Sequence, residues 1–314
     1  MSPLAKAASS LVGAAWELRR QGYAAGWLKG RRVAARVVSI GNLTVGGTGK
    51  TTFALHLARR ARELGWNSAV VCRDYRPGPS GRGDEALLFE AALGAAHVFS
   101  GTSKVDLAER AARAGHDLVL VDDGFSHWAL ERNLDLVLID ARDPWGGGAL
   151  LPAGRMREPR RALQRAGVVV VSRAQDRAEA DRLLAEVRPY APAAVLAAGR
   201  HRVVGIRGPN GSVTAGGPAR VVTATGNPEA VAASAREAGF DPVTLSAYRD
   251  HHWFSEREAR RESEAARGAT LVLTAKDAVR WPLGVGGHVV LEVAWEWLVA
   301  GEQAERLALD KESR

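Results

Sequence analysis

The chain has a single cysteine in 314 residues. Cys72 alone makes neither a disulfide framework nor a cysteine zinc cluster, and it fits a reducing compartment. There is no uninterrupted apolar run of about 18 residues, so no transmembrane helix is expected. The apolar stretch near the N-terminus is broken by Glu17, Arg19 and Arg20 and does not read as a cleavable signal. No internal repeat or low-complexity tract stands out. Nucleic acid is not expected as a partner, because basicity without a binding module is weak evidence. With 25% charged and 46% hydrophobic residues, the composition is that of an ordinary globular protein.

The net charge of +8 is unevenly spread. Residues 1–36 hold seven cations (Lys6, Arg19, Arg20, Lys29, Arg31, Arg32, Arg36) less one anion, Glu17, or +6 of it. Leu4, Ala8, Leu11, Ala15 and Leu18 recur at helical spacing, flanked by Trp16, Tyr23 and Trp27. Such a helix suits the surface of an anionic bilayer; docking its apolar side on the protein is the other reading.

Val37 to Thr51 reads as a buried strand, a glycine-rich turn and a Lys-Thr that opens a helix. This is the context of a phosphate-binding P-loop. Thr44, Val45, Gly46, Gly47, Thr48, Gly49, Lys50, Thr51 and Thr52 are the expected nucleotide-binding residues. Loop amides would face one anion, with the helix N-terminus behind them. Lys50 would reach the outer phosphates of ATP, and the Thr51 hydroxyl would ligate Mg2+. Thr44 stands where the pattern places its first glycine.

Apolar runs alternate with helices thereafter, as in a mostly parallel sheet buried on both faces. Strands are expected at Ser68–Arg73, Leu118–Val121, Leu134–Ile139 and Val168–Val171, and a helix at Asp84–Leu93. Asn210-Gly211 signals a hairpin. A second α/β series follows, ending in a helix from Trp295 to Ala308. The expected fold is α/β: a P-loop NTPase-like domain over 37–194, a two-stranded linker over 195–218 and a smaller α/β domain over 219–314. Residues 1–36 form a membrane-contacting segment.

Leu118–Val121 delivers Asp122 and Asp123 to a strand's carboxyl end, in the manner of a Walker B segment that holds Mg2+. Asp84-Glu85 follows a Pro- and Gly-rich basic loop; an acid there is either a helix cap or a catalytic group. Asp250-His251-His252 could tune a general base, whereas adjacent histidines usually point apart and make poor metal pairs. Lys276-Asp277 are too close together for a guanine-recognition motif. Arg155 and Arg157 lie in a turn-rich segment, where they either meet phosphate or are solvated.

Together these segments resemble the tetraacyldisaccharide 4′-kinase (lipid A 4′-kinase) family. Ser39–Thr51, Gly83-Asp84-Glu85, Asp122–Phe125 with His127, Leu150–Pro159, Gly226-Asn227-Pro228, Asp250-His251 and Lys276-Asp277 carry the resemblance, in that order. It implies two α/β domains joined by two strands, and a peripheral enzyme at the cytoplasmic face of the inner membrane. The implied reaction moves the ATP γ-phosphate to the 4′-hydroxyl of a tetraacylated glucosamine disaccharide 1-phosphate. The resemblance also implies that Asp84, oriented or tuned by His251, takes the hydroxyl proton, and that Asp122 and Asp123 serve Mg2+ and the catalytic centre beside Lys50. The family pattern has Pro where this chain has Thr52, Gln where it has Ser126, and Ser-Arg-Gly-Tyr-Gly where it has Cys72–Arg76. A hinge at 195–218 and a monomeric state are expected. The alternatives are a P-loop kinase or ligase with a soluble acceptor, and a nucleotide switch ATPase of the membrane surface.

Overall fold

The computed structural model describes residues 3–311; Met1 and Ser2 of the expected N-terminal segment, and 312–314 of the expected second domain, lie outside the described residues. In chain order the strands are β1 Arg36–Asn42, β2 Ser68–Arg73, β3 Val98–Gly101, β4 Leu118–Asp122, β5 Leu134–Asp140, β6 Val168–Ser172, β7 Val195–Gly208, β8 Gly211–Ser212, β9 Ala219–Thr223, β10 Val243–Ala247, β11 Thr270–Thr274 and β12 His288–Val299. The helices are α1 Pro3–Ala24, α2 Lys50–Glu63, α3 Asp84–Leu93, α4 Lys104–Arg113, α5 Arg177–Val187, α6 Pro228–Glu237, α7 Glu256–Ala265, α8 Ala275–Ala278 and α9 Gly301–Leu309.

The chain forms two compact units. Unit 1 runs up to Arg73, over Ala96–His201 and from Trp295 onward; unit 2 is Asp74–Ala95 with Arg202–Ala294. Asp84 therefore lies in unit 2 with His251, whereas the sequence reading placed it with the P-loop. Residues 295–311, expected in the smaller domain, lie in unit 1.

In unit 1, β1 pairs in parallel with β4 on one side and β5 on the other; β2 and β3 extend one edge, and β6 and the start of β7 the other. Valine- and leucine-rich strands without alternation suit this double burial: every residue of β1, β4, β5 and β6 is buried. Aligned parallel strands bring Asn42, Asp122 and Asp140 to one edge, where ligands gather in such sheets. One core cluster joins Trp16 to Leu43, Phe125, Trp128 and Val137. Thus α1 docks through Trp16, Ser9 and Gly22, while Leu4, Leu11 and Leu18 are 83%, 72% and 67% exposed.

In unit 2, β9 lies between β10 and β11, and β11 pairs with the start of β12, all in parallel. Ser255 caps α7 with a reciprocal Ser255–Glu258 capping box. Two details differ from the sequence reading. The β7–β8 turn is Pro209-Asn210, because Gly208 pairs with Gly211. Trp295–Val299 continues β12 instead of opening a helix: aromatic and β-branched residues favour a strand, and the helix starts only at Gly301.

Candidate active site

The P-loop of unit 1 is held from outside. The Asn42 amide donates to the Thr44 carbonyl at 2.7 Å, Arg155 to Val45 at 3.0 Å, Arg173 to Gly47, and the Ser172 hydroxyl to Thr48 at 2.9 Å. The Arg157 amide donates to the Leu43 carbonyl at 2.7 Å. A trans peptide that points its carbonyl outward turns its N–H the other way. The Val45 N–H is taken by the Arg155 carbonyl at 2.8 Å, so the amides that this bracing turns the other way are those after the held Val45, Gly47 and Thr48 carbonyls, namely Gly46, Thr48 and Gly49, as in an anion nest. Thr44 bridges to Met156 in extended pairing and is not left-handed, so its position does not need glycine. Gly49 is left-handed at φ 85°, and a Cβ there would lie 2.6 Å from the His201 ring. It opens α2 at Lys50, which also carries Thr51 and Thr52.

The Lys50 ammonium lies 3.1 Å from Asn42 Oδ1 and 3.6 Å from Asp123 Oδ1. Arg157 grips Asp123 with both arms, at 2.8 and 2.6 Å, and also donates to Asn42 Oδ1. Burial pushes the Asp123 carboxyl pKa up, but the Arg157 hydrogen bond and the charges of Lys50, Arg157 and Lys104 outweigh it and hold the group well below the carboxylate range. The Asp122-Asp123 turn is itself clamped. Buried Lys104 donates to both their carbonyls at 2.6 Å, and Asp123 sits left-handed at φ 51°. Burial lowers the pKa of Lys104, against the pull of both acids. Beside the loop, Asp140 pairs with Arg142 and Arg173. Burial, with Arg173 nearby, lowers the His201 pKa to about 4.

Unit 2 gathers Asp84, His251, Lys276 and Arg280. Asp74 Oδ1 accepts the Gly83 N–H at 2.9 Å, fixing the entry to α3, which Asp84 begins. Asp84 is 2% exposed. Its Oδ1 accepts the Glu85 N–H at 2.9 Å. Its Oδ2 accepts His251 Nδ1 at 2.9 Å and has the charges of Lys276 and Arg280 each at 3.6 Å. Burial pushes the Asp84 pKa up; the His251 hydrogen bond, with Lys276 and Arg280, brings it below the ordinary value. Arg280 is anchored by Asp277 at 2.6 Å, and Asp277 also accepts the Ala224 N–H and the Thr274 hydroxyl. The Tyr75 ring stands edge-on to His251, and Arg76 accepts from Trp253 through its carbonyl. His252 turns instead to Glu258 at 3.2 Å, so the adjacent histidines do point apart.

The structure thus brings Lys50, Asp122 and Asp123 together in unit 1, and Asp84 and His251 together in unit 2. Sequence reasoning gave no role to Asn42, Lys104, Arg173 or His201. Asn42 ends the motif strand, and Ser172-Arg173 ends another apolar strand, so strand-end position was a signal for both; Lys104 offered none.

The sequence matches the family described as Tetraacyldisaccharide-1-P 4'-kinase over residues 1–310. It is 34% identical over 293 residues to the Tetraacyldisaccharide 4'-kinase of Halorhodospira halophila, covering 89% of this chain and 83% of that one. It is 38% identical over 294 residues to the enzyme of that name from Anaeromyxobacter dehalogenans, covering 85% and 78%. The fold is similar to that of LpxK from Aquifex aeolicus, an "apo" form in complex with ATP, with a TM-score of 0.71, 20% identity and 95% of both chains covered.

Proposed function

The chain belongs to the Tetraacyldisaccharide-1-P 4'-kinase family, and from that premise we propose that it transfers the γ-phosphate of ATP to the 4′-hydroxyl of a tetraacylated glucosamine disaccharide 1-phosphate. The observation that carries the reading is the P-loop of unit 1, its carbonyls held outward and Lys50 poised at its mouth. Lys50 exchanges Asn42 and Asp123 for the outer phosphates, offsetting charge that grows during transfer. Thr51, Asp122 and Asp123 are oxygen donors of the kind Mg2+ takes, and they would hold it beside the nucleotide phosphates. Among the described residues no three His, Cys, Asp or Glu side chains converge, so such an ion depends on the nucleotide. When bound, Mg2+ supplies charge neutralisation at the phosphates. In unit 2 the Asp84–His251 pair activates the acceptor hydroxyl, a step worth about 10²–10⁴-fold. Phosphate transfer from labelled ATP to the lipid tests the reading; ATP binding without any transfer would overturn it.

The acceptor carries four acyl chains, so the enzyme works at the cytoplasmic face of the inner membrane, as a peripheral protein. The support is α1, whose outward Leu4, Leu11 and Leu18 are followed by exposed Trp27 and Leu28. Among the described residues no helix is long and apolar enough to cross a membrane. Replacing the three leucines by serine should reduce cosedimentation with anionic liposomes; undiminished binding would reject the role. One chain supplies every functional group named here, which supports action as a monomer.

A further inference from the structure

The inward face of α1 carries a contact network that membrane attachment does not need. Leu4, Leu11 and Leu18 form the exposed stripe of this helix. Ser9, Gly13 and Trp16 recur four and three residues apart, and at about 100° per residue they fall on the opposite face. All three meet the segment 150–158 of unit 1. The Ser9 hydroxyl hydrogen lies between the Leu150 carbonyl at 2.8 Å and the Ala5 carbonyl at 3.0 Å, and the Ser9 oxygen accepts the Ala153 N–H at 3.0 Å. A Cβ on Gly13 would stand 3.2 Å from Leu150 Cδ1, so the helix lies close against that turn. The Trp16 indole N–H donates to buried Glu158 at 2.8 Å, and Arg165 donates to the same oxygen at 2.9 Å.

The segment held in this way is the one that shapes the P-loop. The Arg155 carbonyl takes the Val45 N–H at 2.8 Å, and the Arg155 guanidinium holds the Val45 carbonyl at 3.0 Å. Arg157 donates its own N–H to Leu43 and grips Asp123 beside Lys50. Ser9 anchors the chain just before these two arginines, and Trp16 anchors it just after them. We propose that the inward face of α1 serves phosphate transfer, with Ser9 and Trp16 as positioning residues that keep Arg155 and Arg157 in register with the P-loop. This rests on the kinase reading above and is separate from the membrane contact of the leucine stripe. Without the two anchors, the pairing of the segment with residues 43–45 persists while the reach of both guanidinium groups loosens. A displacement of about 1 Å in such a constellation costs up to about 10²-fold in rate.

The test compares label transfer and ATP binding by Ser9→Ala and Trp16→Phe in mixed micelles, with kcat expressed per bound ATP. Each variant should bind ATP at full stoichiometry, keep the KM for tetraacyldisaccharide 1-phosphate and lose about 10- to 10²-fold in kcat. Ser10→Ala, on the exposed side of the same helix, should keep its kcat. A lower melting temperature with kcat per bound ATP unchanged would make Ser9 and Trp16 structural and overturn the assignment, as would a rise in acceptor KM alone. Should Trp16→Phe not fold, Ser9→Ala, which removes a single oxygen, decides by the same ratio. No transfer by the unaltered protein would overturn the kinase reading instead. ATP affinity then carries the test: several-fold weaker in Ser9→Ala where Arg155 loses its register, and unchanged where the assignment is wrong.

Discussion

The two functional regions are built from different materials. In unit 1 the working surface is backbone: the Gly46, Thr48 and Gly49 amides, turned inward because Arg155, Arg173 and Ser172 hold the carbonyls before them outward. In unit 2 it is a knot of side chains around one buried carboxylate, with Asp277 and Arg280 beneath it. A backbone nest spreads its geometry over several braces, so loss of one brace leaves the others in place. A side-chain knot depends on each member, because a charge left buried without its partner is costly.

The sharpest way to break this contrast is Asp277→Ala. It removes the closest partner of the fully buried Arg280, leaving it only the more distant Asp84 carboxylate at 3.6 Å, and should cost about 3 kcal/mol by urea titration. A loss below about 1 kcal/mol would show that the knot is not held as described. Next is Lys50→Ala, which should lower kcat by about 10²–10³-fold, as removal of one preorganised charge-stabilising group does. A variant with near-normal turnover would move phosphate stabilisation elsewhere. Lys104→Met leaves the buried Asp122 and Asp123 carbonyls without their donor, at about 1–3 kcal/mol. Thermal melting measures this, and an unchanged melting temperature contradicts the clamp.

The smallest effects separate the regions by pH. His201 in unit 1 is depressed to about 4, against about 6.5 in an unfolded chain. Between those values the unfolded state binds the proton first, so stability falls as pH drops from about 6.5 to about 4. His201→Gln should flatten that window. Asp84 in unit 2 is also depressed, but as a carboxylate it favours the fold when ionised. Its contribution is present above the unfolded value of about 3.9 and is lost as pH falls through its lower folded value. Acid unfolding of Asp84→Asn should lose only this later window; a change near pH 6 would contradict the assignment.

The same contrast explains what was legible in the sequence. The P-loop is contiguous, so Gly49, Lys50 and Thr51 declare themselves by order, and the structure starts α2 at Lys50. The strand expected at Ser68–Arg73 and the helix expected at Asp84–Leu93 have those bounds in the structure. Asp84 and His251, in contrast, stand 167 residues apart and meet only through the fold. No local spacing pairs them, and the family resemblance alone did so. Lys104 looked like any lysine near a helix start, because burial against two carbonyls is a tertiary fact. The helix expected from Trp295 to Ala308 begins only at Gly301, because the aromatic and β-branched residues of Trp295–Val299 extend the strand before it.

The most direct measurement is transfer of labelled γ-phosphate from ATP to tetraacyldisaccharide 1-phosphate in mixed micelles, with Lys50→Ala alongside. The account predicts label in the lipid with the unaltered chain and about 10²–10³-fold less with the variant. ATP bound by the unaltered chain, with no label reaching the lipid, would contradict it.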